Sequence, residues 1–104
     1  MASGILGQAA PSAATNTTVY TVPTAKTATF NINIVNRNGA LATVRIGISA
    51  TGTPGVTEWI EYGAQVLANG GVLERTGLVA QAAKNVVVYS DVADTSVTVY
   101  GYEE

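Results

Sequence analysis

Residues 26–49, KTATFNINIVNRNGALATVRIGIS, constrain the fold of this chain more than any other stretch. Ala28, Phe30, Ile32 and Ile34 alternate with Thr27, Thr29, Asn31 and Asn33. Side chains along a strand point to opposite faces with period two, so this run predicts a half-buried strand. After the loop NRNG the alternation resumes, with Ala42, Val44, Ile46 and Ile48 set against Thr43, Arg45 and Gly47. Two alternating runs joined by a short loop containing Asn-Gly predict an antiparallel hairpin, with Asn38 and Gly39 taking the positive φ angles that tight turns demand. Phe30, Ile32, Ile34, Val44, Ile46 and Ile48 are its expected core residues, because they form the face a sheet must bury.

The flanking segments extend the same reading. TTVYTV (17–22) is a β-rich run ended by Pro23, and the Gly/Pro/Thr loop ATGTPGV follows Ser49. In TEWIEYGAQVLA, Trp59, Glu61 and Gly63 fall on one face and Glu58, Ile60 and Tyr62 on the other, a mixed pattern that suits an irregular or edge strand. A short helix over 62–68 is the weaker reading beside its neighbouring turns. Asn69-Gly70-Gly71 is a turn, VLERTGLVA a further strand, and VVVYS (86–90) a continuous β-branched run that suits a strand buried on both faces or at a subunit contact. Asp91 to Asp94 make the last turn. SVTVYGYEE then places Val97 and Val99 opposite Thr98, Tyr100 and Tyr102.

The expected fold is an all-β antiparallel sandwich of seven to eight short strands, jelly-roll or immunoglobulin-like. Residues 1–17 hold Ile5 and Leu6 inside Ala, Ser, Gly and Thr without sustained periodicity. They read as an extended N-terminal arm reaching a neighbouring subunit, or as a frayed terminus. Residues 18–104 form the domain.

Composition narrows the function classes. In 104 residues the net charge is −2 and charged residues make up 12%, against about 25% in typical soluble domains. Thr, Ala, Asn and Gly take their place. No basic patch suggests nucleic acid, no apolar run approaches the roughly 20 residues of a membrane helix, and the N-terminus lacks the pattern of a signal peptide. His and Cys are absent, which removes His/Cys zinc sites, Ser-His-Asp triads and cysteine nucleophiles. Glu58 and Glu61, three apart on a strand, face opposite sides and make a poor glycosidase pair. Asp91 and Asp94 suggest a solvated turn before a calcium site. The expectation is a protein without enzymatic activity or cofactor.

Low charge suggests surface covered by other subunits. The candidate contact residues are Ile5 and Leu6 in the arm, Trp59 and Tyr62, and Tyr100 and Tyr102 on the last strand, which is expected to offer an edge to a neighbouring chain. Trp59 and Tyr62 admit three readings: core packing, a subunit interface, or an aromatic platform for a sugar.

TVYTVPTAKTAT (18–29), the NRNG loop, LANGGVLERTG (67–77) and the closing Tyr-Gly-Tyr-Glu together resemble small structural proteins of tailed bacteriophages. The resemblance covers residues 4–103 and rests on strand and turn patterns, so no functional residue carries over. It implies a β-sandwich virion component that binds the major capsid protein or other virion proteins. A capsid cement (decoration) protein is the first expectation, and a tail, connector or fibre-associated protein the alternative. It also implies a homo-oligomer, a trimer by analogy with cement proteins, located in the virion. A small carbohydrate-binding module is the rival class.

Overall fold

Eight strands build the chain in a computed structural model that describes residues 2–104: β1 Ser3–Ala9, β2 Thr17–Thr21, β3 Ala28–Asn36, β4 Ala42–Ser49, β5 Trp59–Val66, β6 Gly71–Ala80, β7 Asn85–Ser90 and β8 Thr95–Glu103. They form two four-stranded antiparallel sheets. Sheet A has the order β1-β8-β3-β6 and sheet B the order β2-β7-β4-β5. Strand pairs 1–8, 2–7, 3–6 and 4–5 therefore nest inside one another, and every connection except β4–β5 passes from one sheet to the other. This is the double Greek key of a jelly roll, one of the two sandwich types expected.

The core lies between the sheets. Ala28, Phe30, Ile32 and Ile34 of β3 meet Ala42, Val44 and Ile46 of β4, with Val86, Val88, Val97 and Val99 around them. Of the six expected core residues, five are fully buried, and Ile48 packs half-buried at the rim. The triple valine of β7 is buried throughout. β7 is an inner strand, and its outward Val87 sits beside Gly47, where Pro54 of the 50–58 loop packs. The strand expected within 57–68 is the irregular edge strand β5, and the helix alternative does not form.

Three expectations are corrected. First, β3 and β4 are not a hairpin. β3 pairs with β6 and β8, and β4 with β5 and β7. Alternation shows which side chains are buried, and two strands stacked across a core alternate as two paired strands do. The NRNG loop is a corner built on buried Asn36. Its Nδ2 donates to Ala40 O at 2.9 Å and Val66 O at 3.1 Å, and its Oδ1 accepts from Asn38 N at 2.9 Å. Positive φ falls instead on Asn69 (60°) and Gly70 (101°).

Second, the N-terminal segment is not a free arm. Residues 3–9 are β1, the edge strand beside β8; Leu6 packs against the core of the same chain, while Ile5 pairs through its backbone opposite Tyr100 and stays exposed. A bulge between Ile5 and Gly7 breaks the alternation and hid this strand. Pro11 is buried as well, and Ala14 N donates to Ser90 O at 2.7 Å. Third, β8 offers no edge, because β1 and β3 flank it on both sides.

Besides the Asn36–Val66 bond, two side-chain pairs tie the sheets together. Tyr20 of β2 donates its hydroxyl to the Glu103 carboxylate of β8, and both are buried. Burial, then the hydrogen bond to Glu103 and its negative charge, push the Tyr20 phenol well above its ordinary range. At the opposite side Arg75 Nη1 reaches Glu61 Oε2 at 2.5 Å across the open rim between β6 and β5. That pair is partly solvated and contributes at most about 1 kcal/mol.

Candidate functional site

Each sheet turns one face to the core and the other outward, so the chain has two outer faces. On sheet A the two inner strands, β3 and β8, alternate without a break, while β1 and β6 each carry one bulge. β3 contributes Thr29, Asn31, Asn33 and Val35, and β8 contributes Ser96, Thr98, Tyr100 and Tyr102 in register beside them. β6 adds Val72, Glu74 and Val79; β1 adds Ile5 opposite Tyr100 and Gln8 opposite Thr98. Glu74 is the lone carboxylate of this face. It accepts from Asn33 Nδ2 at 2.9 Å and from the Tyr100 hydroxyl at 2.8 Å, while Gln8 Nε2 reaches Thr98 Oγ1 at 3.4 Å. The Asn33 and Tyr100 donors hold the Glu74 carboxyl below the usual carboxylate range, and the accepted charge raises the Tyr100 phenol. The face is poor in charge, with Glu74 tethered at its middle and Arg37 donating its Nε to Ser96 Oγ at 2.8 Å at its margin, and it is hydrogen-bonded within itself.

The outer face of sheet B is built differently. Two bulges in β5 set its side chains. Relative to β4, Gly47 pairs with Trp59 and Ile46 with Glu61, so Ile60 is the extra residue; Arg45 pairs with Tyr62 and Val44 with Ala64, so Gly63 is extra. Gly63 has φ 87°, a conformation that costs an L side chain strain. These insertions bring Trp59 and Tyr62, which strict alternation separates, onto one face. Their rings meet edge to face, with centroids 5.5 Å apart and planes at 68°.

Arg45 completes the cluster. Its guanidinium carbon lies 4.3 Å from the Tyr62 ring centroid, 4.5 Å from that of Tyr89 and 6.0 Å from Trp59. The pairing of β4 with β7 places Tyr89 opposite Arg45. Such cation–π contacts contribute about 0.5–1 kcal/mol each at exposed sites and fix the side chain in place. Beside the rings, Val56, Trp59 and Tyr62 line a cleft of about 370 Å³.

The loop over 50–58 buttresses this cluster. Glu58 accepts from Gly55 N at 2.8 Å, Ser49 Oγ at 3.0 Å and Ala50 N at 3.2 Å. The Gly55 and Ala50 amides, with Ser49 behind them, hold its carboxyl below the usual range. The loop so tied lays buried Pro54 onto Gly47, where an added Cβ would stand 2.7 Å from Pro54 Cγ and 3.2 Å from Trp59 Cε3. Only a glycine on β4 lets the loop and the indole sit that close.

The six candidate contact residues thus divide. Ile5, Tyr100 and Tyr102 share the outer face of sheet A; Trp59 and Tyr62 share that of sheet B; Leu6 turns inward against the core. Trp59 is half-buried and Tyr62 is 64% exposed, so neither is a core residue. Arg45, Tyr89 and Glu58 were missed as a group, because their meeting depends on strand order and bulges that carry no sequence signal of their own. Asp91 is occupied structurally, its Oδ1 accepting from Thr43 N at 2.8 Å. Among the described residues no three His, Cys, Asp or Glu side chains are placed to hold a metal ion, and no helix is long and apolar enough to cross a membrane. Set against known family models, curated proteins and solved structures, the chain matches none.

Proposed function

We propose that this chain is a structural virion protein of a tailed bacteriophage, a cement or decoration protein that binds the major capsid protein shell. The reading starts from the resemblance of its strand and turn motifs to such proteins. The observation that carries it is the outer face of sheet A. Four strands of seven to ten residues, about 4.8 Å apart with a rise of about 3.3 Å per residue, give an area of roughly 550 Å². One carboxylate stands on it, already bound by Asn33 and Tyr100. A face meant for water normally carries more charge of both signs. Low charge and side chains already ordered by their own hydrogen bonds suit a surface that another protein covers at low entropic cost. Loops at its margins would bring the contact toward the roughly 800 Å² per partner of ordinary interfaces. A homo-oligomer, a trimer first, belongs to the same proposal.

The test is co-sedimentation with capsid shells of the source phage. Thr98→Arg puts a cation at the centre of the sheet A face. It should abolish binding to shells while thermal unfolding of the isolated protein stays within a few degrees of the parent. Undiminished binding by a folded Thr98→Arg protein would move the contact off this face.

A further inference from the structure

The outer face of sheet B holds a second, separate cluster of aromatic and charged side chains. Arg45 is clamped between Tyr62 and Tyr89, both rings within 4.5 Å of its guanidinium carbon. A guanidinium that stacks on aromatic rings keeps its N–H donors in its own plane, free for a ligand. Arg45 makes no hydrogen bond and no ion pair among the described residues, whereas Arg75 is spent on Glu61 and on Ile60 O, and Lys84 lies near the Glu58 carboxylate and favours its charged form. The face therefore presents one pre-oriented fork of donors carrying one positive charge. That matches a carboxylate, which takes two parallel N–H bonds and carries one negative charge. A doubly charged phosphate would call for a second free cation.

The ring that holds Arg45 also walls the 370 Å³ cleft with Trp59 and Val56. Ligand pockets begin at about 300 Å³ and are walled mainly by apolar and aromatic groups with a few placed polar ones. An aromatic wall accepts the C–H side of a pyranose ring. Val56, 96% exposed, and Tyr62 leave the cleft open for a chain of sugars to run past. We propose that this cleft binds a carboxylated saccharide, its sugar ring stacked against Trp59 and Tyr62 and its carboxylate on the in-plane N–H edge of Arg45. The site lies on the opposite side of the sandwich from the face assigned to capsid contact. A particle-bound copy would thus still present it outward, and the two assignments stand or fall separately.

Trp59 is the sole tryptophan of the chain, so its emission reports the cleft directly. The full-length protein is titrated with trigalacturonate, sialyllactose and a glucuronate-terminated disaccharide, alongside their neutral counterparts and a Glu-rich peptide. At least one acidic saccharide should change the emission saturably and bind at least tenfold more tightly than its neutral partner. Arg45→Gln should remove that preference, and Arg45→Lys, which keeps the charge without the fork, should restore only part of it. Tyr62→Ala, at an exposed position, should lose binding with its unfolding midpoint kept. Equal binding of acidic and neutral sugars would overturn the role of Arg45. A response to the acidic peptide alone would reassign the cleft to a protein partner, and silence toward every saccharide would refute the site.

Discussion

The two outer faces of this sandwich come from the same strand chemistry and end as different surfaces. Sheet A keeps its alternation along β3 and β8, so its outward side chains form straight rows of Thr, Asn, Ser and Tyr that bond one another. Sheet B is interrupted twice in β5, and each extra residue re-aims the side chains after it. The shift gathers Trp59 and Tyr62 around Arg45, and a loop pinned by Glu58 closes over the adjoining surface. The unbroken pleat of β3 and β8 lays its outward side chains in straight rows, whereas the two bulges of β5 gather an aromatic cluster around Arg45 beside a cleft. Bulges near the edges of sheets redirect side chains in this way.

Several substitutions separate the two faces, and the largest effect comes from the corner that joins the sheets. Asn36→Ala leaves Val66 O without its partner in a buried setting, and Ala40 O and Asn38 N without theirs in a partly buried one. Leaving such groups unpaired costs on the order of 3 kcal/mol. Urea denaturation should show that loss, with both faces weakened together. A loss confined to Trp59 emission, with global stability unchanged, would mean the sheets are not joined through this residue.

Next in size is Gly63→Ala, which attacks sheet B alone. Space is open around Gly63, so the penalty is the positive φ itself, about 1–2 kcal/mol. Tyr62 should shift, Trp59 emission should change, and shell binding through sheet A should stay. Its counterpart is Gly39→Ala. Gly39 has no positive φ, and an added Cβ there meets only Asn69 Oδ1 at 3.9 Å. The change should be neutral or stabilising by up to about 1 kcal/mol through the unfolded chain. A loss comparable to that of Gly63→Ala would restore the hairpin turn that the NRNG loop suggests.

Those two glycines mark how far the sequence could be read. Alternation in β3, β4 and β8 located those strands, their inward faces and the centre of the core, because burial imposes a period of two wherever pleating is regular; Tyr20, Val22, Val66, Ala80, Val86 and Val88 complete it from other segments. It left pairing open, since Ile32 and Val44 alternate alike whether their strands lie side by side or face each other. The Asn-Gly of the NRNG loop has the chemistry of a tight turn, yet buried Asn36 spends its side chain on a corner. β1 stayed hidden because its bulge falls inside seven residues. The sheet B cluster was half legible. Trp59 and Tyr62 stood out by composition, whereas Arg45 and Tyr89 looked like ordinary outward residues until β4 and β7 were paired.

The smallest expected effect is acid sensitivity at sheet B. The Gly55 and Ala50 amides and Ser49 favour the charged form of Glu58, so its folded pKa lies below that of the unfolded chain. The stability it lends the loop is therefore complete above about 4.5, a carboxylate's ordinary value, and is lost as pH falls through the lower folded value. Trp59 emission should hold steady from pH 7 to 5 and change below that window. Glu58→Gln should flatten the response, because an amide does not titrate. A transition near neutral pH would point to another group.

The central claim is that the regular face is the one covered by the particle. Electron cryo-microscopy of the source phage, at a resolution that orients the sandwich, tests it most directly. The account predicts density for the chain on the shell, with Thr98, Asn33 and Tyr100 against capsid protein and Trp59 and Arg45 turned to solvent. Sheet B seated on the shell, or no copy of the chain on the particle, would contradict it.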